Sequence, residues 1–178
     1  MPTVTVFTNS ARSARGSAGA YTAAVLELLG DADPLTVMDE LPAALDALLE
    51  GVSDARLRAP EEPEKWSVLQ VLWHLADSEV IYRYRLRRAV AQGDAIVGYD
   101  QDAWADRLHY ADGDPAEPLA LIRALRPATM RWLRGLTPEE MERAGIHDER
   151  GPESVAHMVR LLAGHDLVHR NQIRRILI

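Results

Sequence analysis

The C-terminal two dozen residues constrain this chain most. Val155, Met158, Leu162, His165, His169, Ile173 and Ile176 follow one another at steps of three or four, the repeat that lines up side chains along one stripe of an α-helix. A long helix with one apolar stripe gains its stability by laying that stripe against other helices. Two of the inward positions are histidines. His165 and His169 are four residues apart, so both rings leave the same face. That spacing suits two ligands of one metal ion, and also two core histidines hydrogen-bonded to their neighbours. A buried imidazole has two ring nitrogens to satisfy, and a metal would take one and leave the other for an outer acceptor.

The rest of the chain offers partners with the same period. Residues 10–29 fit a helix with Ala11, Ala14, Ala18, Tyr21, Val25 and Leu28 inward and Gly30 as its stop. Asp33-Pro34 opens a second helix, with Val37, Met38, Leu41, Leu45, Leu48 and Leu49 inward, which Pro42 should bend or split and Gly51 should end. Residues 52–64, carrying Pro60 and Pro63, read as a loop. Ser67 followed by Gln70 is a capping box and predicts a helix over 67–92 with Val71, His74, Ser78 and Ile81 on one face. His74 is therefore a third inward histidine, from a different helix.

The connection 93–114 is 22 residues long, with a short helical turn expected over 102–108. Extended, such a link reaches about 70 Å, whereas the preceding helix is about 39 Å long. The chain can thus return along the bundle and let the next helix run parallel to the last. Asp114-Pro115 supplies N-cap and first-turn proline for a helix to Leu133, kinked at Pro127, with Leu119, Ile122, Leu125, Thr129, Met130 and Leu133 inward. Thr137 and Glu140 form a second capping box before a short helix to Arg143, residues 144–151 form a loop carrying His147, and Pro152 opens the last helix.

Composition narrows the chemistry. The 178 residues fit one domain spanning 1–178. Without cysteine the chain has neither a disulfide framework nor a thiol nucleophile of its own, and a zinc-like site must be built from histidine and carboxylate. A formal charge of −7 argues against nucleic-acid and membrane-surface binding, which need a basic footprint. No apolar run approaches the length of a membrane span, and Met1 to Phe7 lead into Ser10, Arg12 and Arg15 rather than an apolar signal core. A cytoplasmic protein is expected.

Trp66-Ser67-Val68-Leu69, then His74-Leu75-Ala76-Asp77-Ser78-Glu79, then His165-Asp166-Leu167-Val168-His169 with Gln172-Ile173, resemble the DinB-like (YfiT-like) family of metal-dependent enzymes, from about Tyr21 to the end. The resemblance implies an all-α fold, a four-helix bundle with an up-down-down-up path and short additional helices. It also implies a divalent ion, nickel or zinc, held by His74, His165 and His169, and a homodimer. Three protein ligands leave positions open for a small-molecule substrate. The activity it implies first is thiol-dependent transfer of a low-molecular-weight thiol, with a metal-dependent hydrolase of undefined substrate, or a non-catalytic metal-binding stress protein, as the alternatives.

Several other residues are candidates. Asp77, one turn beyond His74, suits a general base or an orienting carboxylate, and equally a carboxylate paired with arginine. Glu79 should lie off the ligand face, and Asp166, about 100° around the helix from His165, should be a salt-bridge or capping partner. His147 is a candidate substrate contact over the mouth of the site, although loop histidines are commonly solvated. The run from Tyr82 to Arg88 suits an anionic substrate, with most of its arginines on a solvated face. Trp73, Trp104 and Trp132 belong to the core or to an interface rather than to a substrate platform.

Overall fold

The computed structural model describes residues 18–93 and 95–178; the part of the first expected helix before Ala18 lies outside them. Eight helices and three short strands follow in order: α1 (Ala18–Leu29), α2 (Pro34–Leu49), α3 (Asp54–Arg58), α4 (Val68–Ala91), β1 (Ala95–Ile96), α5 (Gln101–Arg107), α6 (Ala116–Leu133), α7 (Pro138–Met141), β2 (Ala144–His147), β3 (Gly151–Ser154) and α8 (Val155–Leu177).

Local chemistry sets most of these boundaries. Ser67 accepts the Gln70 amide while the Gln70 side chain accepts that of Ser67, and Thr137 and Glu140 do the same for α7. Asp33 caps α2 by accepting the Thr36 amide at 2.9 Å. Gly30 and Gly51 end α1 and α2 at φ of 54° and 72°, the left-handed conformation that costs glycine least. Pro42 and Pro127 lie inside helices that continue past them, so neither splits its helix. Helix α6 begins at Ala116 rather than Pro115, with the Asp114 carboxylate accepting the Ala116 amide at 2.9 Å.

Helices α2, α8, α4 and α6 pack in that cyclic order into a four-helix bundle, and α1 lies outside against α8. Cross-links give their directions. Arg134 pairs with Asp39 and Arg123 with Asp46, so α6 runs antiparallel to α2. Arg126 and Thr129 bond Glu79 while Arg83 bonds Thr129, so α4 and α6 run parallel. One core cluster joins the start of α4 (Val68, Val71, Leu72) to the end of α8 (Ile173, Ile176); the other joins Leu86 and Ala89 to Val155, Met158 and Leu162. The path is up-down-down-up, as the long link 93–115 permits.

Two segments depart from the sequence expectation. Residues 144–151 are not an open loop: β2 pairs antiparallel with β3, and β1 joins β2 in parallel with Ile96 opposite His147. Pro152 belongs to β3, an edge strand of the β1-β2-β3 sheet, where a missing N–H is tolerated. Ser154 caps α8 instead, accepting the His157 amide at 3.1 Å. Within 52–64, α3 makes one short turn capped by Ser53.

Arg126 was absent from the inward set expected for α6, yet it is 1% exposed. Its Nε donates to Glu79 of α4 at 2.7 Å, and its Nη1 donates to Asp166 of α8 at 2.6 Å and to the Met38 carbonyl of α2 at 3.0 Å. One side chain therefore ties all four bundle helices. Removing it alone strands two buried carboxylates, so Arg126→Met is expected to lower unfolding stability in urea by about 3–5 kcal/mol. Adding Glu79→Leu and Asp166→Leu should recover much of that loss, because the uncompensated charges are then gone. A single variant as stable as the parent contradicts this role.

Candidate metal centre

The three histidines expected to converge do so. His74 is 1% exposed, His165 7% and His169 8%, and one ring nitrogen from each lies within 4.8 Å of the others. The Nε2 atoms of His74 and His165 face each other at 2.9 Å. For comparison, two nitrogen ligands about 2.1 Å from a tetrahedral zinc sit about 3.4 Å apart. The ring centroids are 4.4 Å apart for His165 and His169, 4.7 Å for His74 and His169, and 5.0 Å for His74 and His165. Trp66, in the turn before α4, walls the site with its ring 5.1 Å from that of His74.

Electrostatics keep these rings neutral. Burial holds His74 and His165 well below the usual histidine pKa, with mutual repulsion within the trio adding to it. His169 falls to about 4, again through burial, against a hydrogen bond to Gln172 that raises it. Neutral imidazole is the ligating form. His169 Nδ1 lies 2.8 Å from Gln172 Oε1, so Nδ1–H donates outward and the Nε2 lone pair faces the other rings, the arrangement of an oriented ligand. His74 Nδ1 and His165 Nδ1 are buried without a partner among the described residues.

The donor set fits a divalent cation. Three neutral rings that mainly face each other are poorly satisfied as core histidines, since a single shared proton can serve only one pair. Three convergent nitrogen lone pairs in a buried bundle core have the character of a divalent metal site.

The other candidates are placed as follows. Asp77 is half-buried, accepts a hydrogen bond from the Tyr110 phenol, and lines a cavity of about 430 Å³ with Trp73, Tyr110 and Gly113, which none of the three histidines lines. Burial raises its pKa, against the Tyr110 bond that lowers it. Glu79 and Asp166 point away from the histidines to Arg126. Asp166 has its pKa raised by burial to about 6 even beside Arg126; the 2.6 Å contact and this value agree that it is ionised at neutral pH. His147 is not a solvated loop residue: it sits on β2, 2% exposed. Arg85, from the run expected to be mostly solvated, is 6% exposed. Trp104 and Trp132 pack against the two core clusters.

The lowered histidine values carry a sign. Below about pH 6.5 the unfolded chain takes up protons that the folded rings refuse, so the metal-free protein should lose stability as the pH falls from 6.5 toward 4. Asp166 acts oppositely, taking up a proton in the fold near pH 6, and so offsets one of the three rings. Urea unfolding of chelator-treated protein at several pH values measures this. A flat profile between pH 7 and 5 would contradict buried neutral rings.

Comparison with known proteins agrees with this geometry. The DinB superfamily model matches residues 38–173, which include all three histidines. The chain is 32% identical over 116 residues to the Bacillus subtilis protein named "Putative metal-dependent hydrolase YfiT", covering 65% of each chain. It is 31% identical over 134 residues to "Putative metal-dependent hydrolase OB0782" of Oceanobacillus iheyensis, covering 74% of this chain and 77% of that one. The solved YfiT structure, titled "a probable metal-dependent hydrolase with an unusual four-helix bundle topology", superposes with a TM-score of 0.76 and 28% identity over 80% of this chain and 83% of the other. With the family model spanning residues 38–173, more than half of its length, this chain belongs to the DinB superfamily.

Proposed function

We propose that the chain is a metalloenzyme in which His74, His165 and His169 hold one divalent ion, nickel or zinc, and which carries out metal-dependent hydrolysis of a small molecule. The observation that carries this reading is the meeting of three buried, neutral imidazoles from α4 and α8 at one point. An ion held there would supply Lewis acidity, lowering the pKa of water or of a thiol brought to it and so providing a nucleophile at neutral pH. The protein's own share is orientation and dryness. Gln172 fixes the His169 ring, the Arg126 network holds α4 against α8, and Trp66 closes one side.

Asp77 remains the candidate general base, on the strength of its position one turn from His74 and a pKa raised by burial. A low-molecular-weight thiol is the second nucleophile to consider. The chain has no cysteine, so any thiol must come as a cosubstrate, and thiolate is a soft ligand suited to nickel or zinc. A homodimer is the assembly proposed, and sedimentation at micromolar concentration tests it.

The deciding experiment pairs metal analysis with a substrate panel. Purified protein should carry about one divalent ion per chain, and His165→Ala should lose most of it with helix content unchanged by circular dichroism. Metal-loaded protein is then offered esters and amides without thiol, and in parallel an electrophilic acceptor with small thiols, with His169→Ala as control. Metal-dependent turnover in the first panel supports hydrolysis and thiol-dependent conjugation supports transfer, whereas a fully loaded protein silent in both contradicts the enzymatic reading. Asp77→Asn should reduce turnover about 100-fold or more at unchanged metal content if Asp77 is the base. Unchanged turnover would assign it to anchoring Tyr110.

A further inference from the structure

Helix α4 carries a polar stripe beyond His74. His74, Ser78, Tyr82 and Arg85 are spaced by four, four and three residues, so they share one face of the helix. Arg85 is only 6% exposed. Its Nη2 donates to the Val97 carbonyl at 2.6 Å, and its guanidinium lies 5.6 Å from the Tyr82 ring centroid and 5.8 Å from that of Tyr99. The Tyr99 hydroxyl in turn is 3.3 Å from Ser78 Oγ, one turn from His74, so the stripe is continuous from the histidines to Arg85.

Arg85 differs from the other buried arginine and from the partly buried Arg150. Arg126 meets Glu79 and Asp166, and Arg150 meets Glu153 through two hydrogen bonds of 2.6 and 3.0 Å. Arg85 forms no ion pair with any described residue, its single hydrogen bond being to a backbone carbonyl. Buried charge is normally paired, and aromatic faces compensate a guanidinium only in part.

His147 stands beside it with a matching deficit. Its register partner Ile96 precedes the residue that Arg85 bonds, and a side chain on Gly98 would come within 3.6 Å of His147 Cε1. Arg85 and His147 thus flank the same segment, 96–98. His147 Nδ1 accepts the Glu149 amide at 3.1 Å. An amide can only donate, so Nδ1 is unprotonated and Nε2 carries the proton of the neutral ring. Asp148 Oδ1 also lies 3.0 Å from that Nδ1, but a hydrogen on Nδ1 would face the Glu149 N–H head-on, so the proton stays on Nε2. Burial, with Arg150 and Arg85 adding to it, outweighs Glu153 and Asp148 and keeps the ring neutral. Nε2–H is buried and has no acceptor among the described residues. An unpaired guanidinium and an orphaned ring N–H beside one short segment both lack the same thing, an anionic oxygen.

Resting on the reading of the histidine trio as the reaction centre, we propose that Arg85 and His147 seat the oxyanion of its small-molecule substrate, a carboxylate or phosphoryl group at the end remote from the reacting atoms. Arg85 supplies the charge and His147 Nε2–H a directed donor. Tyr82 and Tyr99 flank the part of the molecule that leads to the histidines. Arg85 lies eleven residues beyond His74, about 16 Å along the helix axis, so the substrate is elongated.

The test titrates full-length, metal-loaded protein with sodium phosphate and, separately, sodium succinate at constant ionic strength, following the His147 ring ¹⁵N shifts. Metal content is measured on every sample. A saturable shift with either anion is expected, and the better binder separates phosphoryl from carboxylate. Arg85→Met should weaken it about 10-fold or more with metal content unchanged, and Arg85→Lys, which keeps the charge, should retain measurable binding. Chelator-treated protein should still bind the anion, so loss of the metal reading and loss of this one are separable. Equal affinity in Arg85→Met, absence of a saturable shift with both anions up to tens of millimolar, or binding that vanishes with chelation yet survives in Arg85→Met would each overturn the proposal; the last would put the anion on the metal.

Discussion

Everything in this bundle depends on how one buried arginine is satisfied. Arg126 reaches the core of a helical protein only because carboxylates from α4 and α8 and a carbonyl from α2 meet its donors, with Thr129 completing the second oxygen of Glu79 at 2.8 Å. Such a network adds little net stability over well-packed apolar residues, but breaking one member is costly. Its value here is geometric. Glu79 lies five residues beyond His74, and Asp166 immediately follows His165. The contacts that fix α4 against α8 therefore fix the separation of the histidines.

A second constraint acts on α8 from the other side. Gly164, just before His165, sits where an added Cβ would lie 2.4 Å from the carbonyl oxygen of Val25, a separation no side chain tolerates. Helix α1 thus packs directly on the backbone of α8 at the level of the histidines, and only glycine permits it. Close packing on one side and the Arg126 network on the other leave α8 little freedom to rotate. Rings carried on a helix so held keep the geometry that a metal demands.

Much of this was legible in the sequence because period and capping are local properties. The α8 stripe from Val155 to Ile176 is buried throughout, both capping boxes form, and three histidines at inward positions meet. The parts that were not legible depend on partners distant in the chain. Arginine at an inward position of α6 reads as a solvated residue until Glu79 and Asp166 are known to face it. The small sheet is similar: β1 has two residues and β2 and β3 four each, too short for alternation to register. Pro152 matches a helix start as well as an edge strand, and only its pairing opposite Ile146 decides. His147 was expected in a loop for the same reason, and so its burial was missed.

The buried polar groups of the bundle then divide by whether the fold answers them. Arg126, Glu79, Asp166 and Thr129 are bonded to one another, and Glu153 is bonded to Arg150; their task is to hold helices and strands together. Among the described residues, His74 Nδ1, His165 Nδ1 and His147 Nε2 are buried with no partner, and Arg85 meets no carboxylate. A fold that met its other needs so completely had room to meet these, and leaving a buried donor unmet is expensive. Trp73 Nε1, also unpartnered, has a separate cause: a side chain on Gly113 would meet it at 2.3 Å, so close backbone packing covers the indole. The three unmet ring nitrogens and Arg85 lie at the histidine trio or along the α4 stripe and sheet that lead from it. Unmet polarity gathered in one region, beside a network satisfied almost throughout, is what a site looks like when its partners are supplied from outside the chain.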